Sequence, residues 1–459
     1  MNQLLFDRST GSLGPPTFAR LQSSSLLHAV QHAPNICFGE AIQAPGGEQD
    51  SERGLKTWAH QAGVNALVVD RFEGRLLLSG GADSGIKIWD LECLTPTSGT
   101  QVLKPSGAVT RTASTHKYGI TNLSFYPFDS AAFLSSSYDH TLKLYSTDTL
   151  AVSASFDLDS IIYTHALSPV AAHLLVACAT QHPAIRLVDL RTGSSAHSLA
   201  GHHGAVLAVS WSPTRDHVLA SGGTDGTVRL WDVRMSSGTL GLLNMEDSIG
   251  FSHDSRASSR RSRDHGKAHT GAVNGLTWTD NGAHIVSAGH DERIRVWDAS
   301  TGANTLASFG PTLKNSHLST ISLLPSPTAL TRSGRELLYY PNEHEVLLFQ
   351  LHEGKLLRRL RVPGPVMAAV RSSRTGERAV RNRVTSLAWR GPVEGMLSGH
   401  TDGQIRAWVP RTVEDEMEDR EELGGTGEGD QEEEEQVRKR RKVLDDVFRD
   451  LTRQKITFG

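Results

Sequence analysis

Leu199–Arg234 reads LAGHHGAVLAVSWSPTRDHVLASGGTDGTVRLWDVR, and this stretch sets the reading of the whole chain. It opens on Gly201-His202 and closes on Trp231-Asp232-Val233-Arg234. Between them, Val206–Trp211, Val218–Ser221 and Thr227–Trp231 alternate or run apolar, and Gly, Asp and Pro punctuate them, as in short strands joined by tight turns. Imperfect copies recur at a fixed period. His60, Asp83 and Trp89 are spaced as His202, Asp225 and Trp231 are, and so are His116, Asp139 and Tyr145. His269, Asp291 and Trp297 differ by one residue; Asp402 and Trp408 repeat the ending without the His. A serine stands four residues before each Asp: Ser79, Ser135, Ser221, Ser287 and Ser398. Two weaker endings, Ile185–Asp189 and Glu345–Phe349, fill the gaps and bring the units to seven. A unit of three visible strands and a looser fourth is one blade, so the expected fold is all-β, a seven-bladed propeller.

His, Ser, Asp and Trp recurring together suggest catalytic triads, but an enzyme needs one site rather than several copies. The structural alternative is a buried hydrogen-bonded tie within each blade: an Asp acceptor fixes a turn and the indole N–H needs its own acceptor. No catalytic, cofactor-binding or metal-binding residues are therefore assigned. A ring must also close or expose sheet edges. Gly54–Trp58 precedes His60 where a fourth strand belongs, and it is expected to pair with the strands ending at Trp408.

The 459 residues carry a formal net charge of −3, which gives no whole-chain signature of nucleic-acid binding. Three scattered cysteines, Cys37, Cys93 and Cys178, argue against a disulfide framework and for a reducing compartment. The N-terminus lacks the apolar core of a signal peptide, and no apolar run is long enough to span a membrane. Three regions are expected: residues 1–50 as a helix–loop–helix and linker, 51–411 as the propeller, and 412–459 as a tail. Asn2–Arg8 and Thr17–Val30 are the two helices, the second entered through Pro15-Pro16. Two insertions are Arg-rich: Ser248–Lys267, with Arg256, Arg260, Arg261 and Arg263, and Pro363–Asn382, with Arg371, Arg374, Arg378 and Arg381. Such loops clamp phosphates, although solvated insertions are commoner. Both should emerge on the face of the His and Asp turns. In the tail, Glu414–Glu435 is acidic, and Arg438, Lys439, Arg440, Arg441 and Lys442 form a basic run that reads as a nuclear-import signal, ahead of an acidic-partner patch or simple charge balance against the acidic run. Leu444, Val447, Phe448 and Leu451 share one helical face that needs an apolar surface, in this chain or in a partner.

The repeats resemble WD-repeat proteins over roughly residues 51–411. Within that group, Tyr126–Asp129, Ser135–Lys143, Tyr163–Val170, Val209–Pro213, Leu230–Arg234 and Gly302–Leu306 resemble the Cockayne syndrome group A family. That resemblance implies a nuclear, non-catalytic substrate receptor of a cullin–RING ubiquitin ligase in transcription-coupled nucleotide excision repair. Its implied partners are the large adaptor subunit of the damaged-DNA-binding complex, the Cockayne group B translocase and stalled RNA polymerase II, with weak nucleic-acid contact at most. It places the adaptor on Leu4, Leu5 and Phe6 and on the Arg191/Arg234 side; the local alternative pairs Arg234 with Asp232. The other readings of such a ring are a scaffold in chromatin or RNA assemblies and a direct reader of damaged DNA.

Overall fold

A computed structural model describes residues 2–41, 57–93, 95–97, 100–193, 195–235, 239–246, 266–363, 367–372 and 376–411. They form a seven-bladed β-propeller with two helices, α1 (Asn2–Ser9) and α2 (Pro15–His28). Blade 1 pairs Val64–Val69, Leu76–Gly81, Ile86–Asp90 and Pro105–Val109 in that order. Blade 2 pairs Ile120–Phe125, Ala132–Ser137, Thr141–Ser146 and Val152–Asp157. Blade 3 holds Ile162–Leu167, Leu175–Thr180, Ala184–Asp189 and Ser195–Ala200. Blade 4, the quoted stretch, holds Val206–Trp211, Val218–Gly223, Val228–Asp232 and Thr239–Leu243. In blade 5, Val273–Trp278, His284–Gly289 and Arg293–Asp298 are full strands, and the fourth shrinks to one bridge between Trp297 and Asn304. Blade 6 runs Leu324–Pro325, Leu337–Pro341, Glu345–Gln350 and Leu356–Arg361.

Apolar side chains between neighbouring blades make the core, and the second strands are buried almost throughout, as in Val218–Gly223. Buried on both faces, they carry continuous apolar and small residues rather than alternation. In blades 4 and 7 the turn after the second strand also latches the next blade. Gly226 takes φ +78°, a region open to glycine, and its carbonyl accepts the N–H groups of Ala268 and His269 at 3.1 and 2.9 Å. Gly403, at φ +81°, does the same for Ala59 and His60 at 3.1 and 3.0 Å.

Closure differs from the expectation. Blade 7 consists of Val384–Gly391, Gly395–His400 and Ile405–Pro410, and its fourth strand is Val30–Phe38, from the segment expected to lie outside the ring. Val30 faces Pro410, Gln31 faces Val409 and His32 faces Trp408; a bulge then separates His32 from Cys37, which faces Arg406. Pro34, which has no N–H to donate, sits inside that bulge. Thr57–Trp58 instead makes a two-residue pairing with Glu40–Ala41, while Gly54, Leu55 and Lys56 lie outside the described residues. Thr57–Trp58 is too short to cover the edge of blade 7, whereas Val30–Phe38 has nine residues. That strand is also held on its other side by a hairpin of blade 1, pairing Ile36–Phe38 in parallel with Gln101–Leu103.

The helices deliver the closing strand. Pro15 and Pro16 occupy the first turn of α2, where missing N–H groups cost nothing. Ser23 and Ser25 return their hydroxyls to the carbonyls of Ala19 and Gln22, at 2.9 and 2.7 Å. Leu27 is fully buried with Val30, Tyr339, Leu348, Met396 and Trp408, between blades 6 and 7. The Tyr339 hydroxyl donates to the Leu27 carbonyl at 3.0 Å, and Arg358 donates to the carbonyls of His28 and Val30 at 2.9 and 3.1 Å. The second Arg-rich insertion is a hairpin rather than a loop, with Met367–Ser372 paired to Gly376–Arg381. Arg256, Arg260, Arg261, Arg263 and Arg374 lie outside the described residues, as does the tail from 412 onward with its basic run and terminal apolar face.

Two outcomes test this closure. Leu27→Ala removes a fully buried side chain and should cost about 2–5 kcal/mol, read as a lower urea midpoint. Deleting residues 1–38 should expose the Ile405–Pro410 edge and drive self-association in size-exclusion chromatography; a monomer with the parental melting temperature would reject the closure.

Candidate functional site

Each repeated polar set is brought together inside its blade. In blade 4 the Trp231 indole N–H donates to Ser221 Oγ at 2.7 Å, Ser221 Oγ lies 2.8 Å from His202 Nε2, and His202 Nδ1 lies 3.2 Å from Asp225. The proton directions follow from what each group can do. An indole N–H only donates and a carboxylate only accepts, so His202 donates from Nδ1 and its Nε2 accepts the serine proton. Asp225 also accepts the N–H groups of His203 and Thr227 at 2.9 and 3.0 Å, which folds the turn onto the carboxylate. Blade 1 repeats the set with His60, Ser79, Asp83 and Trp89. Blade 5 uses His269, Ser287, Asp291 and Trp297, and adds Arg295 at 2.8 Å from Asp291. In blade 2, His116, Ser135 and Asp139 keep the arrangement, and Tyr145 replaces the indole, stacked on Phe133 at 5.1 Å between centroids.

Blade 7 solves the same problem with residues the spacing analysis missed. Trp408 donates to Ser398 at 2.7 Å, and the imidazole on Ser398 is His400, from the same strand, at 2.8 Å. Asp402 is held by Arg406 at 2.7 Å and by Asn382 at 2.9 Å. The Gly399-His400 pair next to Asp402 is the signal that could have located the substitute. His165 in blade 3 was missed as well. It is buried between blades, with Nε2 2.8 Å from Ser124 Oγ and Nδ1 2.9 Å from Ser136 Oγ.

The electrostatics match a structural role. Burial opposes ionisation of Asp139, Asp225 and Asp291, but the histidine contacts, backbone N–H groups and, at Asp291, Arg295 outweigh it and hold these carboxyls well below the usual range. Burial pushes His165 down to about 3 and also lowers His269 and His400, so these rings stay neutral. Among the described residues no cluster of His, Cys, Asp and Glu is arranged to hold a metal ion, and no helix is long and apolar enough to cross a membrane.

The residues singled out as contacts for an adaptor are not gathered into one patch by any contact among the described residues. Arg234 pairs with Asp232 through Nε and a terminal nitrogen at 3.0 and 2.7 Å, as the local alternative required. That contact draws the Asp232 carboxyl down to about 2. Asp232 also accepts the Arg234 N–H at 3.0 Å, closing the turn after the third strand. Asp90, Asp189 and Asp298 close the equivalent turns of blades 1, 3 and 5 by accepting the N–H two residues on. Arg191 and Phe6 are exposed; the side chains of Leu4 and Leu5 lie outside the described residues.

Two measurements check the polar ties. Asp225→Ala leaves the His202 and turn donors without an acceptor and should destabilise the protein by about 2–4 kcal/mol; a loss within error would remove the tie. The buried histidines also impose a pH dependence. Their folded values lie below the ordinary 6.5, so their contribution is complete above about pH 6.5 and is lost as pH falls toward the folded values, about 3 for His165. Melting temperature should fall between pH 7 and 4, with a shallower slope in His165→Gln than in the parent.

Comparison with known proteins bears on what the ring serves. The family model for the WD domain, G-beta repeat, matches residues 53–90, 107–146, 193–232 and 262–298, within blades 1, 2, 4 and 5 and the segments leading into them. The WD repeat-containing protein ATCSA-1 of Arabidopsis thaliana is 28% identical over 419 residues, covering 78% of this chain and 88% of that protein. Radiation-sensitive protein 28 of Saccharomyces cerevisiae is 27% identical over 276 residues, 54% of this chain and 52% of that protein. Ribosome biogenesis protein ytm1 of Aspergillus niger is 29% identical over 276 residues, 53% of each. The chain thus spans about half the length of the latter two. The name ribosome biogenesis protein recurs among further fungal relatives. These relatives overturn the assignment to the Cockayne group A family. The ligase function, the adaptor, the group B translocase and the polymerase, which all came from that resemblance, fall with it. What stands is a WD40 propeller similar to proteins named for ribosome biogenesis.

Proposed function

We propose that this protein is a non-catalytic WD40 scaffold in an RNA–protein assembly of the ribosome-biogenesis kind. The observation that carries the proposal is the recurring similarity, over about half of the chain, to proteins named for ribosome biogenesis. The interior supports it. The histidines and aspartates that recur from blade to blade are used as ties, so the chemistry of the repeats goes into rigidity. A rigid ring with exposed turns on both faces suits the holding of several partners at once. Nuclear residence belongs to the same proposal, and the basic run Arg438–Lys442 is its import signal.

The tagged protein should co-sediment with ribosomal-precursor RNA in a sucrose gradient and be released by ribonuclease. Depleting it should lower the yield of mature ribosomal subunits. Sedimentation as free protein, with subunit yield unchanged, would reject the scaffold. Alanine at all five positions of Arg438–Lys442 should shift a fluorescent fusion from nucleus to cytoplasm; unchanged nuclear signal would remove the import role.

A further inference from the structure

Between blades 6 and 7, on the face that carries the turns after the second strands, lies an open cleft. Lys314, Ser316, Ser319, Thr320, Glu343 and Arg383 are among the residues that line it. Arg383 starts blade 7, and its backbone N–H donates to Thr401 at 2.9 Å. Its side chain is half-buried, yet among the described residues its guanidinium makes no hydrogen bond and no ion pair. Burial lowers its pKa, against the pull of Tyr138 and Glu343. Glu343, the one carboxylate among the residues that line the cleft, is already engaged: it accepts from Ser316 at 3.2 Å and pairs with Arg381 at 3.4 Å. Lys314 and Arg383 thus share the cleft with one anion, and that anion is already paired with a third cation, Arg381, outside the lining. A recessed, unmatched guanidinium is costly unless something supplies the missing charge.

We propose that this cleft is a docking site for a protein partner, and that the partner inserts an anionic side chain, carboxylate or phosphoryl, onto Arg383. The planar fork of a guanidinium fits either oxyanion through two parallel hydrogen bonds. The serine and threonine hydroxyls offer further donors. The rim favours a peptide over a nucleic acid. Leu318, 57% exposed, stands in sequence between the lining residues His317 and Ser319, and Tyr138, 40% exposed, sits close enough to Arg383 to perturb it. Apolar and aromatic contacts of this kind flank buried charges at protein interfaces. A nucleic-acid backbone is followed by a track of exposed cations, whereas Arg383 is recessed and its neighbour Arg381 is already paired with Glu343. The proposal gives the scaffold a partner-binding site and rests on that reading only for the need of a partner. Peptide binding and co-sedimentation are separate measurements, so either can fail alone.

The test begins with the full-length protein and a random dodecapeptide library displayed on phage. Selection should enrich peptides with an acidic residue beside an apolar one. In anisotropy titrations the best peptide, and its phosphoserine analogue at the acidic position, should outbind the glutamine analogue. Arg383→Gln should weaken the acidic peptide by about tenfold or more, with an unchanged melting temperature. Glu343→Gln should tighten binding several-fold, and this variant carries the test if Arg383→Gln fails to fold. Three results overturn the proposal: no acidic enrichment, equal binding by parent and Arg383→Gln, or a single-stranded RNA oligomer that binds more tightly than any peptide and loses affinity with Arg383.

Discussion

Everything in this molecule depends on covering one sheet edge. Ile405–Pro410 ends the last blade, and without Val30–Phe38 its N–H and C=O groups would be unpaired. The strand that covers it starts about 370 residues earlier, so the blades between are locked once it docks. Its anchors come from three blades: Tyr339 and Arg358 from blade 6, Trp408 against His32 from blade 7, and Trp89 edge-on to Phe38 from blade 1. Closure joins the most distant parts of the sequence, a connection of high loop entropy that many simultaneous contacts must offset.

Within each blade, a second constraint shapes the polar chemistry. In blades 1, 4 and 5 the third strand buries a Trp donor, and the turn that precedes it supplies a carboxylate acceptor. Serine and histidine link them, so the proton direction along the chain is set by the two ends. When blade 7 loses the histidine that should precede it, His400, Asn382 and Arg406 satisfy the same groups by another route. The indole-to-serine bond is what persists in blades 1, 4, 5 and 7, and the residue types vary around it.

That use of the polar residues redirects attention to the surface. Aspartates at the ends of third strands close turns, and Arg234 is occupied by Asp232. The cleft at Arg383 differs because its cation is recessed and unmatched among the described residues. The proposed scaffold role and the proposed docking site at the Arg383 cleft both assign the ring to holding other macromolecules.

Repeat spacing alone determined the blades, because a local pattern of strand, turn and strand needs only local residues. His202, Ser221, Asp225 and Trp231 lie within 30 residues of one another, and their joint burial was legible from their period. The two helices were legible in place, the first from Leu4, Leu5 and Phe6 and the second from apolar residues after Pro15-Pro16, but the second was expected to run to Val30, where the closing strand begins. The closing strand was not. Val30–Phe38 contains Pro34 and Asn35 and lacks clean alternation, and Gly54–Trp58 sat in the position that repeat spacing assigns to a fourth strand. Which segment covers a distant edge depends on length, on the pocket between blades 6 and 7 that receives Leu27, and on the bulge that absorbs the proline. The Arg383 cleft was hidden for the same reason. Lys314, Glu343 and Arg383 have no shared spacing, and only the packing of blade 6 against blade 7 brings these two cations and one carboxylate into one cleft.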